Sequence, residues 1–136
     1  MNTTRPEILS VRESPAHPDL DALYRRLGLA PRQARSVREA IRVVKKHPPT
    51  VLVGEFFYGW GNNYAGVNVS NLDVLLASLP KYAPDCRVVV LVEPAERQFV
   101  DRLAALFPVH ATLVQPVDAA QMEAALVPLL AARPTG

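Results

Sequence analysis

The sequence predicts an α/β domain built on a doubly wound, five-stranded parallel sheet. Three observations lead there. Strand-like and helix-like apolar patterns alternate along the chain five times. The strand runs are continuous rather than alternating, as expected when helices cover both faces of a sheet. The stretches between them carry helical periodicity and are long enough for right-handed crossovers between parallel strands.

The elements follow in order. Ile8-Leu9-Ser10-Val11 reads as the first strand. Leu20, Leu23, Tyr24 and Leu27 fall at i, i+3, i+4 and i+7, one helical face, and Gly28 stands where a C-terminal cap belongs. Leu29 to Arg35 is weakly patterned and has room for a short second strand. Ser36 and Glu39 have capping-box spacing, and Val37, Ala40, Ile41 and Val44 continue as a second helical face. Pro48-Pro49 ends that helix, since proline lacks an N–H and disfavours helical geometry before it. Thr50-Val51-Leu52-Val53 is β-branched-rich and apolar, a buried third strand. Leu72, Leu75, Leu76 and Leu79 form a third helical face, expected to stop near Pro80. Val88 to Val92 is the strongest strand signal. Phe99, Val100, Leu103, Leu106 and Phe107 give a fourth helical face, His110 to Val114 a fifth strand, and Met122, Ala125, Leu126, Leu129 and Leu130 the last helix. Residues 1–136 then form one domain, with a core spanning about 7–131 and a strand order of 2-1-3-4-5. That order places a site at the carboxyl ends of the first and third strands.

Bulk properties narrow the functional classes. No apolar run approaches the roughly 20 residues needed to cross a bilayer, so no membrane association is expected. Met1 to Pro6 has no apolar h-region, so no secretory signal is expected. The single cysteine, Cys86, precludes an internal disulfide and agrees with a reducing, cytoplasmic setting. The net charge of +2 is too small for a nucleic-acid footprint, and the cations from Arg25 to Lys46 read as solvated helix faces. His17, His47 and His110 lack metal-ligand spacing and read as surface or strand-edge residues. Cys86 reads as a small packing residue. No cofactor or metal is expected.

Three phrases carry a family resemblance. Pro49 to Glu55, Arg87 to Glu93 and Thr112 to Asp118 resemble the third, fourth and fifth strands of the receiver domains of bacterial two-component response regulators. Ser36 to Ile41 resembles the start of that family's second helix. The resemblance spans about Ile8 to Leu130 and implies a flavodoxin-like fold and a role in signal transduction. It also places Glu55 where the family carries its phosphoacceptor aspartate, Val92 where it has threonine or serine, and Gln115 where it has lysine. Pro116 matches the family's proline. A working receiver holds a divalent cation with paired acids after the first strand, and here Arg12 and Glu13 stand there.

These departures predict a silent site. Phosphoryl transfer onto a carboxylate needs a placed aspartate, a hard cation with oxygen ligands, and groups that neutralise developing charge. Glu55 is one methylene longer than aspartate. Val92 cannot hydrogen-bond a phosphoryl oxygen, and Gln115 donates without bringing charge. Glu55 is read as a polar residue at the mouth of a disused pocket, or as a partial mimic of the modified aspartate. Glu13, Glu55 and Glu93 either converge on a cation or stand as separate surface acids.

The segment after the third strand is unusual. Phe56, Phe57, Tyr58, Trp60 and Tyr64 are five of the chain's nine aromatic residues, interleaved with Asn62 and Asn63. It is a candidate partner- or ligand-binding loop, since tyrosine and tryptophan supply contact area with a polar handle, or else a lid folded over the pocket. Gly59-x-Gly61 lacks the third glycine of a dinucleotide fingerprint and follows the wrong strand. Asn68-Val69-Ser70 fits a glycosylation sequon but reads more simply as a loop leading into a helix cap.

The expected function is therefore a non-catalytic pseudo-receiver, not phosphorylated on the usual residue, that binds a protein partner. The last helix, through Leu126, Val127, Leu130 and Ala131, is a candidate homodimer face, because receivers often pair through that region. A second hypothesis is a small-molecule-binding domain whose aromatic loop closes over a ligand at the strand ends. The weakest is an enzyme using Glu13 and Glu55 as acid and base, for which no nucleophile or cofactor motif is present.

Overall fold

The computed structural model describes residues 6–59 and 69–131. Five strands, β1 (Glu7–Val11), β2 (Ala30–Ala34), β3 (Val51–Glu55), β4 (Arg87–Val92) and β5 (Ala111–Val114), form one sheet in the order β2-β1-β3-β4-β5. Every pairing is parallel. Helices α1 (Asp21–Arg26), α2 (Val37–Lys46), α3 (Asp73–Tyr82), α4 (Val100–Ala104) and α5 (Ala119–Ala131) connect or follow them.

The continuous apolar strands are explained by two separate cores. On one face, Leu9, Leu52, Val88, Val90 and Val92 pack with Ala40 and Val44 of α2, Leu75 and Leu76 of α3, and Leu103 of α4. On the other, Ile8, Val51, Val53, Val89 and Leu91 pack with Leu23 and Tyr24 of α1 and Met122 and Leu126 of α5. Successive strand residues point to opposite faces, and here both faces are dry. Gly54 faces α3, where an added Cβ would lie 2.9 Å from Leu72 Cδ2. The glycine thus lets the segment leading into α3 sit against the sheet.

Local signals set the helix ends. Gly28 follows α1 with φ of 85°, a left-handed conformation that disfavours side chains. Ser36 Oγ accepts from Glu39 N at 3.0 Å. The Glu39 carboxylate reaches one residue further back than a simple capping box, accepting from Arg35 N at 2.7 Å.

Three expectations change. α3 does not stop near Pro80 but continues to Tyr82. Its last turn is held by buried Leu79 and Ala83, with Ala83 N donating to the Leu79 carbonyl at 2.7 Å, while Pro80 faces solvent. The fourth helix is shorter than its apolar face. Pro94–Phe99 is a 3-10 turn, α4 has five residues, and Leu106 is 58% exposed. Pro108 disfavours helical geometry just before it, and the chain turns away. In α5, Leu126 is fully buried in the core, so it contributes nothing to an outer face, although Val127 and Ala131 are exposed. No helix among the described residues is long and apolar enough to cross a membrane.

Candidate functional site at the carboxyl ends of the strands

The strand order reverses between β1 and β3, so their carboxyl ends open a crevice where neighbouring connections diverge. Glu55 ends β3 and turns into this crevice. It is 1% exposed. Its Oε1 accepts from Glu13 N at 2.7 Å and from Ser14 N at 2.9 Å, and Ser14 Oγ donates to Oε2. Glu55 is therefore not the separate surface acid that one reading expected. The extra methylene of glutamate lets the carboxylate span from β3 to the loop after β1, where two consecutive backbone N–H groups form an anion-binding nest.

Glu13 is brought to the same place, and Glu93 is not. Asn71, just before α3, donates to Glu13 Oε1 at 2.7 Å and to the Glu55 carbonyl at 2.8 Å, and Asn71 Oδ1 accepts from Phe57 N at 2.8 Å. Glu93 stands exposed at the end of β4. Among the described residues no group of three or more histidines, cysteines or acids is arranged to hold a metal ion. Val92 is fully buried in the core below the crevice. Gln115 follows β5, nearly buried, with Nε2 3.5 Å from the Ala16 carbonyl oxygen. His17, expected at the surface or a strand edge, is instead 2% exposed in the loop after β1, with Nδ1 3.0 Å from the Pro18 carbonyl oxygen. Burial lowers its pKa, opposed by that carbonyl and by the charge of Glu55.

Partial burial raises the pKa of Glu13 above its ordinary 4.5; the Asn71 hydrogen bond opposes this and the Glu55 charge adds to it. An acid whose folded pKa is raised stabilises the fold when protonated, and that contribution is lost as pH rises through the folded value. Glu13→Gln keeps the acceptor for Asn71 and removes the charge. It is expected to raise the melting temperature at pH 7, with the gain shrinking as pH falls through the raised folded value and gone below the ordinary 4.5. A variant that melts lower than the parent at pH 7 would contradict this.

The aromatic segment divides. Phe56 is 1% exposed and belongs to the core that holds α2 and α3. Phe57 is half-buried. Tyr58 is 36% exposed and stacks on Phe99 with ring centroids 4.0 Å apart. Its hydroxyl accepts from Arg102 at 2.7 Å, and its backbone N–H donates to Glu96 Oε1 at 3.0 Å. Tyr58 also pairs antiparallel with Ser70, and Gly59 N donates to the Val69 carbonyl at 2.8 Å. Asp73 closes this stem by accepting from Val69 N at 2.9 Å and Ser70 N at 2.7 Å. Trp60, Asn62, Asn63 and Tyr64 lie outside the described residues.

Ser14, Asn71 and Asp73 were not singled out from the sequence. Asn71 and Asp73 do follow the loop read as leading into a helix cap, the one signal pointing toward them.

Sheet order and crevice are those of receiver domains: the fold is receiver-like. Solved structures agree. A signal receiver domain of an HD domain-containing protein from Pseudomonas fluorescens superposes with a TM-score of 0.71 at 18% identity, covering 94% of this chain and 96% of that one. A response regulator receiver domain protein from Clostridium thermocellum gives 0.69 at 16%, covering 93% and 94%. A response regulator from Thermotoga maritima gives 0.71 at 13%, covering 95% and 100%. At such identities the likeness is one of fold. No family model matches the chain, and no curated protein matches it.

Proposed function

We propose that this is a pseudo-receiver that acts by binding a protein partner, without phosphoryl transfer onto its β3 carboxylate. The observation that carries the reading is the engagement of Glu55. Its two oxygens already take three hydrogen bonds from the loop after β1. A nucleophilic carboxylate must present a free lone pair to phosphorus beside a bound cation. Here the candidate nucleophile is turned onto the backbone. The nearest acid, Glu13, is spent on Asn71. The same bonds tie β1, β3 and the approach to α3 into one arrangement, as a permanently closed switch would require.

The partner surface in this reading includes Tyr58, exposed on the fixed stem. A pairing of two copies through Val127 and Ala131 is compatible with it. The test is a titration with beryllofluoride and magnesium, followed by amide resonances. The expected result is no shift at Glu13, Ser14 or Glu55; saturable shifts there would overturn the proposal.

A further inference from the structure

The opposite end of the sheet carries features that the crevice does not use. A cavity of about 490 Å³ opens beside the amino-terminal ends of β3 and β4, walled by Pro48, Pro49, Tyr82, Pro84, Asp85 and Cys86. A smaller one of about 160 Å³ adjoins it, sharing Ala83, Pro84 and Cys86 and reaching Leu76, Leu79 and Val88. The first is within the size range of small ligand sites and the second supplies an apolar floor.

A ridge of cations leads to this cavity. Arg38, Arg42 and Lys45 fall at i, i+4 and i+7 on α2, all exposed. None has an ion-pair partner among the described residues, where the pairs found are Arg26–Glu123, Arg32–Glu7 and Arg97–Asp101. The one acid of α2, Glu39, is turned back onto Arg35 N. At the cavity, Lys45 and Lys81 each place Nζ 5.2 Å from the centre of the Tyr82 ring. Two ammonium groups therefore lie against a ring that walls the cavity, whose lining holds Asp85 as its single acid.

We infer that this ridge and cavity form a docking surface for an acidic peptide segment carrying one aromatic or large apolar anchor. Charge complementarity selects the occupant. Three cations over two helical turns span about 10 Å, the length of three or four extended residues. That suits a short run of carboxylates and is too small for the broad basic footprint of a nucleic-acid site. The cavities take the anchor, desolvated against the proline rings of the first and Leu76 and Leu79 of the second. The inference rests on the reading of the domain as a protein binder, but it uses residues remote from Glu55.

The probe is a fluorescein-labelled glutamate decapeptide with one central phenylalanine, read by anisotropy in about 50 mM salt, where exposed charges are weakly screened. Saturable binding is expected, weaker when alanine replaces the phenylalanine. The combined Arg38→Glu, Arg42→Glu and Lys45→Glu variant is expected to lose about tenfold or more in affinity with its melting temperature nearly unchanged. Should that variant not fold, Lys45→Ala is read instead, with a loss of about threefold. Absence of binding, equal binding by the variants, or equally tight binding of a single-stranded decanucleotide would overturn the inference. A negative result here leaves the beryllofluoride test of Glu55 standing, and a shift at Glu55 leaves this titration unaffected.

Discussion

Glu55→Ala is expected to lower the free energy of unfolding by about 2–4 kcal/mol, as for other changes that remove a buried acceptor shared by several donors. Glu55 is the acceptor of Glu13 N, Ser14 N and Ser14 Oγ at once. Removing it leaves those donors without their partner and opens a hole at the end of β3. Glu13 and Ser14 are only partly buried, so entering water softens the loss. Glu55→Gln keeps one acceptor oxygen but turns an NH2 toward a donor, so an intermediate loss is expected. Urea denaturation measures both. A loss below about 0.5 kcal/mol, the range of ordinary surface substitutions, would show that the carboxylate does not hold the loop.

Phe56→Ala is expected to cost about 3–5 kcal/mol, the usual range for deleting a buried aromatic side chain. Tyr58→Ala, two residues on, is expected to cost about 1 kcal/mol, mainly its stacking on Phe99. Both are read from chemical denaturation. The contrast follows from placement: Phe56 lies within the α2–α3 core, whereas Tyr58 stands at the surface between Phe99 and Arg102. Comparable losses for the two would mean that the exposed stem is part of the folding core.

These two residues also mark how far the sequence could be read. Strands β3 and β4 were legible because a run such as Val88 to Val92 has one economical explanation, burial on both faces. The helices were legible from periodicity, and their ends from Gly28 and Ser36. Where packing opposed a local signal, packing won: Pro80 reads as a stop, yet buried Leu79 and Ala83 carry α3 past it. Glu55 was found by its position in a resemblance, but its burial was not foreseen. Its partners lie on another loop, and no local pattern encodes a side chain meeting backbone across that separation. Asn71 bonds Glu13 in the same non-local way, and His17 is buried although nothing in its neighbourhood is periodic. Division of the aromatic segment was equally hidden, since composition does not say which ring faces inward.

The stem from Tyr58 to Ser70 has a consequence for how the gene can be edited. Bridge, Asp73 contacts and the Asn71 bond to Phe57 hold the two chain ends together at a fixed gap. The entropy of closing a loop across that gap grows slowly with the length of the joining peptide. The same point divides the chain into one half bearing β2, β1 and β3 side by side and another bearing β4 and β5, with β3–β4 as the strand pairing between them and α2 packed on α3 across the same division. A reporter peptide spliced between Gly59 and Val69, or a cut made there to give two complementing fragments, respects every strand pairing within each half.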